Sequence, residues 1–204
     1  MLHPWHDFDT GANPPEEITA VVEVPAGSRN RYVLNRETGR FELDRVLGAS
    51  LRHPGECGLI PRTVSPQGGP CTVLVLVDEP TFTGCEISAR PISLLRLKGG
   101  GCTEERLIAV ASRDASRSEW IEAADVPTRV LLEIQGFFHA CREAAGYATE
   151  GVSWEGRESA LMAIIASMER YRQAHERPDE STLPFRRRRP TPMRTFGLLE
   201  EDTD

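Results

Sequence analysis

Apolar positions follow one spacing in the first part of the chain and another in the last part. Up to residue 111 they form short runs rich in β-branched residues, separated by Gly- and Pro-containing turns, which is typical of strands. The predicted strands cover residues 18–24, 30–35, 41–46, 72–78, 85–97 and 106–111.

After Pro127 the apolar spacing becomes helical, with residues recurring every three or four positions. The two predicted helices carry apolar faces made of Val130, Ile134, Phe137, Phe138 and Cys141 in the first and Ala160, Ile164, Met168 and Tyr171 in the second. Strands followed by helices predict an α+β fold: a small closed β-barrel, OB-like, with two main helices packed outside it.

The length of 204 residues suits one domain with a sizeable core. The composition changes near the end, where four prolines between residues 178 and 192 surround the run Arg186–Arg189. The sequence therefore predicts a domain over residues 1–172 and a Pro- and Arg-rich, flexible C-terminal extension over residues 173–204. A segment that docks on a neighbouring subunit is the alternative for this extension.

Charge and composition narrow the classes of function. The net charge of −7 argues against general nucleic-acid binding, and no apolar run exceeds seven residues, so we expect no membrane partner. The start of the chain lacks the features of a signal peptide. Five cysteines, an odd number, indicate reduced thiols and a cytoplasmic location.

Several segments, in order, resemble the soluble family I inorganic pyrophosphatases from residue 3 to about residue 172. The segments are His3-Pro4-Trp5-His6-Asp7 and residues 22–30, 37–41, 43–47, 75–85, 90–92 and 133–138. This resemblance implies the pyrophosphatase fold, Mg²⁺-dependent hydrolysis of pyrophosphate, and a homo-oligomer, either a hexamer or a dimer.

One motif departs from that family. Its signature D-x-D-P-x-D-V-L-V gathers Mg²⁺ through three aspartates, and the chain has Gln67, Gly69 and Thr72 at those positions. A further ligand position falls near Gly99, and a companion acid is present only as Glu104. Because Mg²⁺ needs oxygen ligands in near-octahedral geometry, we expect no metal cofactor.

The cationic side of the implied site is retained. The family's phosphate-binding lysines and arginine correspond to arginines throughout, which are Arg31, Arg45, Arg106 and Arg142. Guanidinium groups bind oxyanions through paired hydrogen bonds. These residues are the predicted anion-binding set, with a small anionic ligand as the expected partner.

Tyrosine positions of the family hold Cys57, Cys141 and His53 in this chain. A thiol beside arginines can become a nucleophile, so Cys57 with His53 and Glu56 is a candidate catalytic group, and Glu23 is a remaining acid candidate. A Zn²⁺ site from Cys57, Cys141 and His53 is an alternative, although no C-x-x-C spacing supports it. Inert replacement of the aromatic side chains is the third reading.

Two other cysteines have structural interpretations. Strand alternation should turn Cys71 away from the side that Thr72 faces. Cys85 is expected to be a small core hydrophobe.

These observations lead to the expectation of a pyrophosphatase-fold protein that does not hydrolyse pyrophosphate efficiently. It would bind an oxyanion without metal, as a pseudoenzyme or as a repurposed enzyme using Cys57. The alternatives are an active Mg²⁺-dependent inorganic diphosphatase and a non-catalytic subunit of a mixed oligomer.

Overall fold

The structure, a computed structural model, describes residues 2–175. Its strands are β1 (Ile18–Val24), β2 (Asn30–Leu34), β3 (Phe41–Val46), β4 (Glu56–Ile60), β5 (Cys71–Leu76), β6 (Glu86–Gly99), β7 (Cys102–Ala111) and β8 (Gly151–Glu155). Its helices are α1 (Thr128–Ala144) and α2 (Arg157–His175), and two short 3₁₀ helices, Ala115–Arg117 and Ala123–Asp125, precede α1.

Five strands close into a ring in the order β1-β4-β5-β7-β6, because β6 also pairs with β1. The closing register sets Ile18 opposite Ala89. β5 and β7 run parallel, while the other pairs in the ring are antiparallel. Closure leaves the five strands without a free edge, and β8 adds to the outer part of β6. The predicted α+β barrel with two outer helices is confirmed.

β2 and β3 form a separate hairpin beside the barrel. Asn35 shapes its turn by accepting hydrogen bonds from the backbone N–H groups of Glu37 and Thr38. Gly39 has a φ of 68° and packs against the His3 ring, so the turn requires glycine there. Most of β3 is exposed, which leaves one face of the hairpin available to a cavity.

The two helices cover different parts of the barrel. α1 buries Ile134, Phe137 and Phe138 against a cluster that includes Leu74 and Ile108. α2 buries Ala160, Ile164 and Tyr171, and the first two pack on the cluster that contains Val73. The helical spacing in the sequence therefore identified both buried faces. None of the helices among residues 2–175 is long and apolar enough to cross a membrane.

Two strands were absent from the sequence-based prediction, β4 and β8. β4 begins with a fully buried carboxylate, Glu56, whose Oε1 accepts the Thr81 N–H at 2.7 Å. Its glycine, Gly58, lies so close to β1 that a side chain would overlap the Val21 carbonyl. A buried acid and a glycine hide the apolar pattern of this strand.

Of the two cysteines given a structural interpretation, Cys71 lies where it was predicted and Cys85 does not. Cys71 is buried in the cluster under α2, while Thr72 faces the opposite side, as the alternation predicted. Cys85 was expected in the core, and this was wrong: it is half-buried in the turn before β6 and belongs to none of the core clusters of the described residues. α2 continues to His175, and the rest of the predicted extension, including Arg186–Arg189, lies outside the described residues.

Candidate functional site

A cavity of about 300 Å³ opens between the barrel, the β2–β3 hairpin and the C-terminal half of α1. Its walls contain charged residues from four strands and from α1, together with apolar residues of α1. The charged lining residues are Glu23, Arg31, Arg45, Glu104, Arg106 and Arg142. The four arginines predicted from the sequence therefore lie around one cavity.

The hairpin contributes two of these arginines. Arg31 and Arg45 are directly opposite each other on β2 and β3, so their side chains share a face. Like charges in this position destabilise a hairpin. Asp44 offsets the repulsion, since its Oδ2 lies 3.4 Å from Arg31 Nη1 and 3.4 Å from Arg45 Nε. Both guanidiniums remain about two-fifths exposed and available to a ligand.

The other two arginines meet at one carboxylate. Glu104 Oε2 accepts from Arg106 Nη2 at 2.7 Å, and Glu104 Oε1 accepts from Arg142 Nη1 at 2.5 Å. Arg106 Nη1 also donates to Thr72 Oγ1 at 3.0 Å. Arg142 is only 3% exposed, and its Nη2 donates to the Gly99 carbonyl at 2.9 Å.

The four positions that depart from the pyrophosphatase motif lie in different surroundings, and among them only Thr72 lines the cavity. Gln67 is exposed, and its Nε2 donates to the Thr103 carbonyl at 2.6 Å. Gly69 lies against the Arg36 guanidinium. Gly99 has a φ of 150°, and a side chain there would overlap the Ala148 carbonyl oxygen.

Glu23 lies on β1, in the wall of the barrel, and lines the cavity. Burial raises the pKa of its carboxyl group, against the opposing effects of a hydrogen bond from Leu34 N–H and the charges of Arg31 and Arg106. The Leu34 bond, 2.9 Å to Oε1, fixes one oxygen. A carboxylate with a raised pKa is suited to accepting a proton near neutral pH.

The thiols of the cavity are neutral groups. Burial raises the pKa of Cys57 to about 12, although the Arg106 charge acts in the opposite direction. Burial also raises the pKa of Cys141, and three nearby arginines offset this only in part. Both thiols pack in the same apolar cluster as Phe137 and Phe138. In this state they form an apolar wall of the cavity.

His53 lies beside that wall and is also neutral. Burial lowers the pKa of its imidazole, and Arg31 lowers it further, while a hydrogen bond to the Ser28 carbonyl raises it. The bond measures 2.9 Å from Nδ1, and the ring centroid lies 4.8 Å from that of Phe137. Glu56, the third member of the predicted catalytic group, alternates with Cys57 on β4 and is not a cavity-lining residue.

Sequence reasoning missed two contributors to the site, Asp44 as the partner of both hairpin arginines and Tyr147 in the loop after α1. Arg142 lies 5.9 Å from the centre of the Tyr147 ring. The acid Asp44 directly before Arg45 in the sequence was a signal that could have identified Asp44 as a partner. No local signal marks the second.

Two carboxylates are among the residues that line the cavity. Within residues 2–175 there is no group of three or more acidic, histidine or cysteine side chains placed to hold a metal ion. The carboxylates of the lining, Glu23 and Glu104, already accept hydrogen bonds from the protein. Mg²⁺ binding requires several oxygen ligands in octahedral arrangement.

Comparison with known proteins decides the family. The family model described as inorganic pyrophosphatase matches residues 20–172. The chain belongs to the inorganic pyrophosphatase family. An inorganic pyrophosphatase of Haloferax volcanii is 37% identical over 174 residues, which cover 85% of this chain and 98% of that relative. One from Picrophilus torridus is 31% identical over 169 residues, covering 83% and 96%.

The solved structures agree with this family membership. The crystal structure of an inorganic pyrophosphatase from Thermus thermophilus matches with a TM-score of 0.76 and 32% identity. The match covers 81% of this chain and 97% of that chain. The barrel and both helices are therefore the pyrophosphatase fold.

The family membership corrects the expected function. The sequence led to the expectation of a pseudoenzyme or repurposed anion-binding protein without efficient pyrophosphate hydrolysis, and this expectation is wrong. Relatives named inorganic pyrophosphatase at 31–37% identity over most of the chain support the stated alternative, an active inorganic diphosphatase. The physical reason is that the departures concern single positions, whereas the match to the family extends over residues 20–172 and includes the strands and helix that line the cavity.

Proposed function

We propose that this chain hydrolyses inorganic pyrophosphate to two phosphate ions in the 300 Å³ cavity. The observation that carries the proposal is the arrangement of Arg31, Arg45 and Arg106 around one cavity in a chain of this family. Pyrophosphate is a small, highly charged oxyanion, and guanidinium groups bind phosphate oxygens through charge-assisted hydrogen bonds.

The residues of the chain have separate tasks in this proposal. Arg31 and Arg45 bind one phosphoryl group from the hairpin side, and Arg106 binds the other from β7. Glu23 accepts a proton from a water molecule whose oxygen attacks phosphorus. The bond from that phosphorus to the bridging oxygen then breaks, and the bridging oxygen leaves with the second phosphate.

The neutral wall strengthens these electrostatic contacts. Cys57, Cys141 and Phe137 exclude water from one side of the cavity. Charge interactions are stronger where water is excluded, so guanidinium groups that face this wall stabilise the charge of the transition state more than they would in bulk water.

A phosphate-release assay tests the proposal. Purified protein is given pyrophosphate with MgCl₂, since the magnesium complex is a form of the substrate in solution, and in a parallel series with EDTA. We expect turnover of roughly 1–10³ s⁻¹ with MgCl₂, the common range for enzymes. Phosphate release no faster than in protein-free buffer at every MgCl₂ concentration would exclude the proposal. Metal analysis of the purified protein tests the separate expectation that it carries no resident metal.

Glu23→Gln isolates the proposed base. This change keeps the side-chain shape and the acceptor for the Leu34 N–H, so we expect kcat to fall by roughly 10²–10⁴-fold with the fold intact. Glu42→Gln is the matched control because Glu42 is exposed on β3 and does not line the cavity. Equal activity of the two variants would remove Glu23 from the mechanism.

We further propose a homo-oligomer in the cytoplasm. Large apolar side chains that are more than half exposed, such as Leu43, Val46 and Phe82, support subunit contacts. Five free cysteines suit a reducing compartment. Sedimentation velocity measures the assembly state, and a single species with the mass of one chain would contradict the proposal.

A further inference from the structure

Glu104 occupies an unusual place among the acids of the cavity. It lies on β7, faces the cavity, and is about one-quarter exposed. Each of its oxygens forms an ion pair with a different arginine, Oε2 with Arg106 and Oε1 with Arg142. A carboxylate whose two oxygens hold two guanidiniums has little capacity left for another cation.

Arg142, one of the two arginines paired with Glu104, is held in place by several contacts. It is buried, and beyond Glu104 its Nη2 donates to the carbonyls of Gly99 and Ala148, at 2.9 and 3.4 Å. These bonds tie α1 to the β6–β7 turn and to the loop before β8. Arg142 is thus held on several sides, and Glu104 is positioned by it.

Arg106, the other arginine paired with Glu104, has fewer protein contacts than it has N–H donors. Its Nη1 donates to Thr72 Oγ1 and to the Glu105 carbonyl, at 3.0 and 3.1 Å, and its Nη2 donates to Glu104. The guanidinium lies 5.4 Å from the centre of the Phe138 ring. An arginine has five N–H donors, so contacts with these described residues leave the Nε–H and one N–H of Nη2 for a ligand.

We propose that Glu104 is a positioning residue that holds the Arg106 guanidinium in the orientation that binds a phosphoryl group. It acts through Arg106 and does not serve as a ligand for a metal ion. The inference rests on the proposed hydrolysis of pyrophosphate. It also explains why the acid nearest the β6–β7 turn pairs with two arginines.

Glu104→Asp is the decisive change, because it keeps the negative charge and shortens the side chain by one methylene. An aspartate cannot reach both guanidiniums, so Arg106 loses its orientation. We expect kcat for pyrophosphate to fall at least tenfold, with the MgCl₂ concentration for half-maximal activity unchanged within about twofold. Retained activity, or activity recovered by raising MgCl₂, would overturn the inference in favour of a cation-binding role.

Glu105→Asp is the matched control. Glu105 is the next residue on β7, faces the other side of the sheet, and pairs with Arg96 at 2.9 Å. The same shortening there should change kcat by less than threefold. Thermal unfolding of both variants identifies a loss of folding. If Glu104→Asp does not fold, Arg106→Lys replaces it, since it keeps the charge and removes the paired donors; parent-like kcat in Arg106→Lys would overturn the inference.

Binding separates this inference from the proposed function. Methylenediphosphonate, which cannot be hydrolysed at its bridge, is titrated calorimetrically into the parent and both aspartate variants. We expect Glu104→Asp to weaken its Kd at least tenfold and Glu105→Asp to leave it unchanged. If the parent binds this probe but releases no phosphate from pyrophosphate, the proposed function fails and the Kd comparison decides the role of Glu104. A parent that does not bind the probe, or equal Kd values in the two variants, overturns the inference.

Discussion

The two faces of β7 carry opposite arrangements of the same two residue types. On the cavity face one carboxylate, Glu104, lies between two guanidiniums, those of Arg106 and Arg142. On the other face one guanidinium, that of Arg96, lies between the carboxylates of Glu105 and Glu155. The cavity group has an excess of one positive charge, and the outer group has an excess of one negative charge.

This difference shows how a strand in an acidic chain builds a local excess of positive charge. Successive residues of β7 point to opposite faces, so Glu104 and Glu105 enter separate networks although they are adjacent. The net charge of −7 for the chain does not report the charge of the cavity. Local charge balance, rather than composition, decides which ion the site attracts.

The strongest way to break the comparison is to remove one arginine from each face. Arg106→Gln should lower kcat/KM for pyrophosphate by at least 100-fold, because it removes a donor group aimed at the transition-state charge. Arg96→Gln should change kcat/KM by less than about threefold, since Arg96 does not line the cavity. Steady-state phosphate release measures both. Similar losses in the two variants would mean that the faces are not functionally distinct.

Stability provides a second contrast between the faces. Arg142→Met should reduce the free energy of unfolding by about 3 kcal/mol, because it breaks a buried ion pair and leaves the Gly99 carbonyl without its donor. Arg172→Met, at an exposed pair with Glu169 on α2, should cost less than about 1 kcal/mol. Urea unfolding measures both changes. A cost below 1 kcal/mol for Arg142→Met would show that the pair contributes little.

Two thiols sharpen the contrast between cavity and surface. At pH 7.5 Cys57 should react with iodoacetamide at least tenfold more slowly than Cys102, the exposed first residue of β7. Burial raises the pKa of Cys57 to about 12, so little thiolate is present. Mass spectrometry of labelled peptides measures each rate, and the rates should converge in urea. If Cys57 were labelled faster than Cys102, the result would support a nucleophilic role for Cys57.

The smallest effect concerns the pH dependence of stability that Glu23 contributes. Burial raises the pKa of Glu23 in the folded chain, so the folded state binds its proton more tightly than the unfolded state does. Glu23 therefore stabilises the fold below the ordinary glutamate pKa, and this contribution is lost as the pH rises through the raised pKa.

Urea unfolding between pH 4 and pH 8 tests that sign. Glu23→Gln should lose less stability than the parent as the pH rises across this window, whereas Glu42→Gln should follow the parent. If the free energy of unfolding of the parent changed with pH as steeply as that of Glu23→Gln, the folded protein would bind the charged and the neutral form of Glu23 equally well.

Much of the fold was predictable from the sequence because its signals are local. Six of the strands and both helices follow from apolar spacing, and the two helix faces were correct at Ile134 and Ile164. β4 was missed because Glu56 and Gly58 interrupt its pattern, and only the bond to Thr81 and the contact with Val21 explain them.

The site was predictable only in part. The four arginines were named in advance, but the ion pair of Glu104 with Arg142 joins residues 38 positions apart and depends on how α1 packs on β7. The pKa of Cys57 is set by burial, which no local pattern reports. The proposed nucleophile was inferred from neighbouring arginines, and burial outweighs their effect.

Gly99 restricts the order in which this chain can change during evolution. A side chain at that position meets the Ala148 carbonyl, so the loop before β8 would have to move first. Arg142 donates to both carbonyls, and moving the loop would weaken that anchor as well. A carboxylate therefore cannot be accommodated at this turn through one substitution. Substitutions in the loop before β8 and at Arg142 would therefore have to come before a substitution of Gly99.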